Sequence, residues 1–358
     1  MTSARRSDIA TIRPAGSRVL LPMRRLLVLV ALFGACGATQ PAQPVQSSST
    51  SGVLPDGRAV RIDIAGEKIA AVDAADASGW IWPVVVDSHV HLAYWDVASQ
   101  LAASGVGVAV DLAAPERKAA AEDLHVLSSG PMLTHVDGYP LDAWGSDGYG
   151  VGCDDAACVR TAVTRLADRG ASVIKVALDG DGLAPALVPD VVVAAHRRGL
   201  PVAAHALSNA SALLAANAGV DILAHTPTEP LATDTVAAWS GRTVISTLAA
   251  FGGAESTIDN LRRLRAAGAT VLYGTDLGNT RDAGPSAREI ELLRDAGMDD
   301  AAITAAMTTG PLAYWKLLFA TFEPGAEATF LVLDADPRID ADALVTPREV
   351  WIRGKRLR

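Results

Sequence analysis

The chain has 358 residues, half of them hydrophobic, which is ample for a large core and excludes general disorder. Its formal net charge of -9 excludes a nucleic-acid partner held through a basic face. No basic run occurs outside the N-terminus and the last few residues.

The first segment reads as an export signal over residues 1–35. Arg24 and Arg25 precede the apolar run LLVLVALFGAC, which is too short to span a bilayer comfortably. The run closes on Gly34, Ala35 and Cys36, resembling a bacterial lipoprotein signal with Cys36 as the lipidated mature N-terminus. Simple cleavage near Ala38 is the alternative, and Met23 is a possible true start. Export implies a periplasmic or outer-membrane-anchored protein that touches the membrane only through Cys36. Residues 36–51 are rich in Pro, Gln and Ser and read as a flexible tether.

Residues 53–82 alternate like antiparallel strands around a turn at Asp56-Gly57, and the C-terminal end is also β-rich. Neither part buries a core alone, so the two are expected to pair as a small composite β-sandwich, residues 52–83 with 324–358.

Between them a unit recurs. A helix-like stretch ends at a glycine, and a short β-branched run follows: SGVGVAVDL, RGASVIKVAL, RGLPVAAHAL, AGVDILAHTP, SGRTVISTLA and AGATVLYGTD. VVVDSHVHL supplies the first strand, and GPMLTHVDG, around 130–136, a weaker third. Helices are expected over 160–169, 187–198, 209–218, 231–240, 258–267 and 285–296. Eight strands over residues 84–323 match the usual size, roughly 250 residues, of an α/β fold of the (β/α)8 TIM-barrel type. A doubly wound open sheet competes, but it would carry a glycine-rich phosphate loop where this chain has SHVHLAYWD.

In a barrel, chemistry sits at the C-terminal strand ends. Those ends carry His89 and His91, then Asp111, His135, Lys175, His205, His225 and Asp276. Residues two apart on a strand share a face, so His89 and His91 point together. Asp111 alone is explained as a loop cap. Lys175 lies in SVIKVAL, where a bare ammonium is costly to bury. Imidazoles, a lysine and an aspartate at one mouth have no ordinary packing explanation and point to two divalent metals with nitrogen and oxygen ligands. His125 and His196 fall elsewhere and are expected at the surface. Cys153 and Cys158 are expected to form a small-loop disulfide; a metal site is the weaker alternative, because no histidine adjoins them. Asp154 and Asp155 between them read as solvated loop carboxylates. Residues 136–152 are expected to form a substrate-facing loop with aromatic walls.

The stretches VDSHVH, VIKVA, PVAAHA, DILAHT and GTD, with the C-terminal PGAEATFLVLDADPRID, resemble the amidohydrolase superfamily over residues 52–358. GVDILAHTP and GTDLGNT carry a closer likeness to imidazolonepropionase-related and exported Xaa-Pro-dipeptidase-like members. The resemblance implies a binuclear hydrolase of an amide, dipeptide or cyclic-amide C–N bond. His89, His91 and Asp276 would bind one ion, zinc by default, and His205 and His225 the other. Lys175 would be a carbamate bridging both, and a bridging hydroxide the nucleophile. Asp276 would transfer the proton, and His135 would hydrogen-bond the developing oxyanion.

The chain departs from the family where Pro83-Val84 replaces a Pro-Gly, where Thr308-Thr309-Gly310-Pro311-Leu312 replaces Thr-x-Asn-Pro-Ala, and in short connections after His91 and after the last strand. These imply a compact, open site and leave the substrate undecided. An ester or phosphotriester hydrolase on the same metals is one alternative, although phosphotriesterase-like relatives lack the split β-sandwich. A non-catalytic binding lipoprotein is the other.

Overall fold

The computed structural model describes residues 47–116, 122–319 and 321–358. The expected signal, Cys36 and most of the tether lie outside the described residues. Among the described residues no helix is long and apolar enough to cross a membrane.

The repeating unit builds parallel strands joined by helices. One parallel sheet runs, in spatial order, Gly150–Gly152, Met132–Thr134, Ile174–Ala177, Val202–His205, Ile222–Leu223, Thr243–Ile245 and Thr270–Leu272. A second parallel sheet holds Val85–Val90, Val106–Asp111 and His125–Ser128. The ladders do not run on as a single closed barrel. Hydrogen bonds nevertheless join both sides of the smaller sheet to the larger. On one side Ser172 N donates to Ser128 O at 2.8 Å; on the other Val90 bridges Leu277, and Ser88 N donates to Tyr273 O at 2.9 Å.

The third strand is the one the pattern locates poorly. It is split, beginning at His125 rather than near 130, and the short strand Gly150–Gly152 beside it was not expected. His125 is therefore not a loop residue. Its ring is partly buried, 2.9 Å from Glu327 and stacked on Phe319, which ties this strand to the C-terminal segment. His196 ends the helix Val188–His196 at the surface, where its Nε2 meets Asp221 at 2.8 Å.

The expected helices form with shifted ends that have local causes. The helix expected over 160–169 spans Ala156–Asp168, because the Asp155 side chain accepts from Cys158 N at 2.7 Å and caps it. The helix Asn209–Ala218 starts on a Ser208/Ser211 capping box and stops at left-handed Gly219. Cys153 and Cys158 are joined as a disulfide.

The two chain ends meet in one seven-stranded, mostly antiparallel sheet. Phe330–Leu333 pairs antiparallel with Trp80–Trp82, in register Leu331 to Trp82. One face carries its own cluster, with Ile62, Ile64, Ile81 and Phe330 at its heart. Trp82, Leu331 and Leu333 belong instead to the main core under the helices. The ends thus pair in a single sheet, where a composite β-sandwich was expected. The tether is shorter than expected, for Ser47–Val53 is a strand paired with Ala59–Ala65. Its polar sequence hides this, since the ladder uses backbone groups and only alternate residues, Thr50 and Gly52, turn inward.

Candidate metal centre

The ends of the parallel strands converge on a cavity of about 240 Å³. His89, His91, Lys175, His205, His225 and Asp276 all line it. His89 and His91 bracket the end of Val85–Val90, and Lys175 and His205 lie in their strands. His225 and Asp276 follow the short strands Ile222–Leu223 and Thr270–Leu272. A glycine permits the close approach of the last strand to the first: a Cβ on Gly274 would lie 2.5 Å from Ile245 Cγ2 and 3.1 Å from His89 Cβ.

The four imidazoles form a continuous chain. Ring centroids lie 5.1 Å apart for His89 and His91, 4.3 Å for His89 and His225, and 5.0 Å for His205 and His225. Asp276 Oδ1 lies 3.0 Å from His91 Nε2 and 3.6 Å from His89 Nε2. Asp276 itself has φ +55°, a left-handed backbone that aspartate tolerates, and its N–H donates to His89 O at 2.9 Å.

Burial sets the charge states. His89 and His225 are held well below the ordinary imidazole range by desolvation, and His205 is lowered to about 4 by the same cause. All three are neutral at pH 7, the form that binds metals. Lys175, 1% exposed, is brought down to about 7 by burial, which the Asp276 charge opposes. Burial also opposes ionisation of Asp276. The His91 hydrogen bond, the neighbouring His89 and His91 rings, and the Asn279 amide outweigh it and hold the carboxyl at about 2.

The donor set fits a cation. His89 Nδ1 lies 2.7 Å from Ala224 O, which fixes its proton there and leaves Nε2 as the free nitrogen. That Nε2 is buried and, among the described residues, has no hydrogen-bond partner. One ligand atom each from His89, His91 and Asp276 falls within 4.8 Å of the others. An unpaired buried acceptor beside an ionised carboxylate is costly unless a cation or proton joins them.

Two predicted residues stand apart. Asp111 is buried, but its Oδ2 accepts from Ala93 N at 3.1 Å, so it holds the loop after His91. His135 is exposed and does not line the cavity, because the strand ends at Thr134 and a turn closed by Gly138 N to His135 O leads away. The loop expected to carry aromatic walls does so. Tyr139 packs on His205 at 5.0 Å, and Trp144 on His91 at 5.6 Å. Sequence reasoning missed Phe251, 5.0 Å from the His225 ring, and the Asp87–Thr275 tie beneath the histidines. Asp87 was visible in the same motif as His89.

No protein-family model matches the chain. Uncharacterized proteins of Mycobacterium tuberculosis and Mycobacterium bovis are 28% identical over 367 residues, covering 84% of this chain and 93% of theirs. Among solved structures, a Xaa-Pro dipeptidase with bound methionine superposes with a TM-score of 0.71 at 18% identity, covering 86% of this chain and 99% of its own. An amidohydrolase gives 0.68 at 20% identity, with coverage of 87% and 98%. The fold is that of the amidohydrolases. The ochratoxinase of A. niger shares this amidohydrolase fold, at TM-score 0.69 and 20% identity over 87% of this chain and 95% of its own.

Proposed function

We propose that this chain is a member of the amidohydrolase superfamily and a binuclear, metal-dependent hydrolase of an amide-type C–N bond. In this reading the strands work as one (β/α)8 barrel beside a β-sandwich built from the chain ends. The observation that carries it is the meeting of four imidazoles, Lys175 and Asp276 around one cavity, with buried His89 Nε2 unpartnered. The fold shared with a Xaa-Pro dipeptidase and an ochratoxinase supports the choice of reaction.

His89, His91 and Asp276 would hold one divalent ion and His205 and His225 a second, zinc being the default for such ligands. Such ions lower the pKa of water toward about 7 and polarise a substrate carbonyl. The chain's own residues do the rest. Ala224 O fixes the His89 tautomer, and Thr247 Oγ1, 3.1 Å from His225 Nδ1, orients the His225 ring. Lys175 is buried with its pKa near 7, so its neutral amine is available to add carbon dioxide. The N–C bond forms, one proton leaves, and the product is a carbamate anion in place of a costly cation. Asp276, ionised at neutral pH, accepts a proton at a carboxylate oxygen and delivers it to the leaving nitrogen. Tyr139, Trp144 and Phe251 wall the cavity beside the reacting groups.

We also propose export, with Cys36 as a lipid anchor; the pairing of Cys153 with Cys158 suits an oxidising compartment. The test of the function is a screen of zinc-loaded protein against dipeptides, N-acyl amino acids and cyclic amides. Turnover that vanishes on chelation and returns with zinc supports the reading. Turnover that survives verified metal loss rejects it.

A further inference from the structure

Glu289 is a buried carboxylate that the proposed chemistry leaves without a task. It lies on the helix Ala287–Asp295 with none of its surface exposed. Burial raises its pKa above the ordinary carboxylate value. A carboxyl group in such a place needs strong donors; besides the Ser246 side chain, it has two adjacent backbone ones. Oε1 accepts from Leu248 N at 2.9 Å and Oε2 from Ala249 N at 2.7 Å. Both amides belong to the turn that follows the strand Thr243–Ile245.

That turn contains Thr247 at φ +45°. A β-branched residue in the left-handed region is a true outlier, and it persists only where its surroundings impose it. Thr247 is also the residue whose hydroxyl meets His225 Nδ1 at 3.1 Å. Phe251, a little further along the same turn, packs on the His225 ring. The contacts therefore run without a break from the helix carboxylate, through two amides and a strained residue, to the imidazole.

We infer that Glu289 is a positioning residue: by gripping the Leu248 and Ala249 amides it holds the Thr247 turn left-handed and so fixes the ring of His225. Its consequence for catalysis rests on the metal-centre reading above, whereas the geometric coupling does not. Glutamine at 289 keeps the volume but offers one oxygen and one NH2, so one amide N–H loses its acceptor and faces another donor. The turn is then free to relax, carrying the His225 partner with it. Asparagine at 247 supplies the opposite change. It adopts φ > 0 far more readily than threonine, and its side-chain carbonyl accepts from Nδ1–H.

The experiment measures zinc stoichiometry and affinity, with Tm, for the full chain, Glu289→Gln, and Glu289→Gln combined with Thr247→Asn. Glu289→Gln is expected to weaken binding of one of the two ions about tenfold or more. The added Thr247→Asn is expected to restore affinity to within about threefold of the parent, which a general packing role for Glu289 does not predict. Parent-like zinc binding by Glu289→Gln, or no recovery in the double variant, overturns the inference. If Glu289→Gln alone is insoluble, the double variant decides: soluble with two ions supports the inference, and insoluble or one ion overturns it. Parent protein that binds no zinc rejects the metal-centre reading instead. The inference is then judged on Tm, which Glu289→Gln lowers and Thr247→Asn must recover by at least half.

Discussion

Asp276 Oδ1 and His91 Nε2 lie 3.0 Å apart, a contact that joins the last strand of the series to the first at the floor of the cavity. It keeps Asp276 ionised across the neutral range, with a pKa of about 2. In the proposed function the carboxylate would thus be both a ligand and a proton acceptor. Asp276→Asn keeps the size and removes the charge. Turnover is expected to fall by about 10² to 10⁴, the usual worth of a positioned acid–base group. Zinc affinity should fall with it, by about tenfold to a hundredfold. Steady-state kinetics and metal analysis on the same preparation check this; retention of a tenth of the parent kcat denies Asp276 its role.

Lys175 gives a signed prediction for stability against pH. Its folded pKa, about 7, lies below the unfolded value of 10.5. Between the two, the unfolded chain holds a proton that the folded chain lacks, so stability rises with pH. The contribution is fully lost below the folded pKa and fully present above the unfolded one. Asp87 and Asp111, raised by burial to about 7 and about 6, have largely finished titrating by pH 8, and buried Tyr273 loses its proton only well above 10. Metal-free protein in bicarbonate-free buffer should therefore gain stability from about pH 8 to 9.5, with a slope of at most ~1.4 kcal/mol per unit. Lys175→Met should flatten the slope. Urea midpoints across that range decide, and equal slopes in both proteins defeat the claim. In the metal-loaded enzyme Lys175→Ala should abolish turnover, and a short carboxylic acid should restore part of it.

The six ligand candidates were legible because each lies in or just after a short apolar strand run, and a parallel fold must bring the ends of such runs together. His135 shows where that logic fails. Met132 and His135 lie on opposite faces of an extended chain, so the register that brings Met132 to the cavity turns His135 away, and the strand itself ends at Thr134. His125 was misread for a related reason: the run HVLS is brief and borders no glycine, so nothing marks it as the start of a strand. The role of Glu289 was invisible, because a carboxylate on an amphipathic helix looks solvated until the amides of Leu248 and Ala249 are seen to cover it. The strand Ser47–Val53 escaped because backbone pairing leaves no trace in side-chain polarity.

Trp144 separates binding from chemistry. Its ring meets His91 edge-on at 5.6 Å and lies within 6.1 Å of both Tyr139 and Tyr149. It makes a wall of the cavity but carries no group that exchanges a proton. Trp144→Ala should raise KM by about tenfold, roughly 1.4 kcal/mol of lost apolar contact with the substrate. The change in kcat should stay within about threefold, since the ligand atoms are held from below by Ala224, Thr247 and Asp276. A kcat loss as large as the KM gain, on the best substrate from the screen, makes Trp144 part of the reacting machinery instead.

Asp87 tests what holds the first strand to the last. It is fully buried; Oδ1 accepts from Thr275 N at 3.0 Å and from His89 N at 3.2 Å, and Oδ2 accepts from the Thr275 hydroxyl at 2.5 Å. Burial drives its pKa up to about 7 against the pull of these bonds. Thr275 precedes Asp276 and Asp87 lies two residues before His89, so one carboxyl group sets the spacing of the proposed ligands from two strands. Asp87→Ala leaves these donors buried and unpaired, each worth about 1–3 kcal/mol, though the losses do not simply add. A drop of about 3 kcal/mol or more in unfolding free energy is expected, with zinc affinity falling in parallel. Asp87→Asn keeps one acceptor oxygen and should lose about half as much. Denaturant titrations of the metal-free proteins measure both, free of any gain from ion binding. If Asp87→Ala unfolds within about 0.5 kcal/mol of the parent, the tie between the strands lies elsewhere, in the backbone bonds from Ser88 to Tyr273, from His91 to Leu277 and from Asp276 to His89.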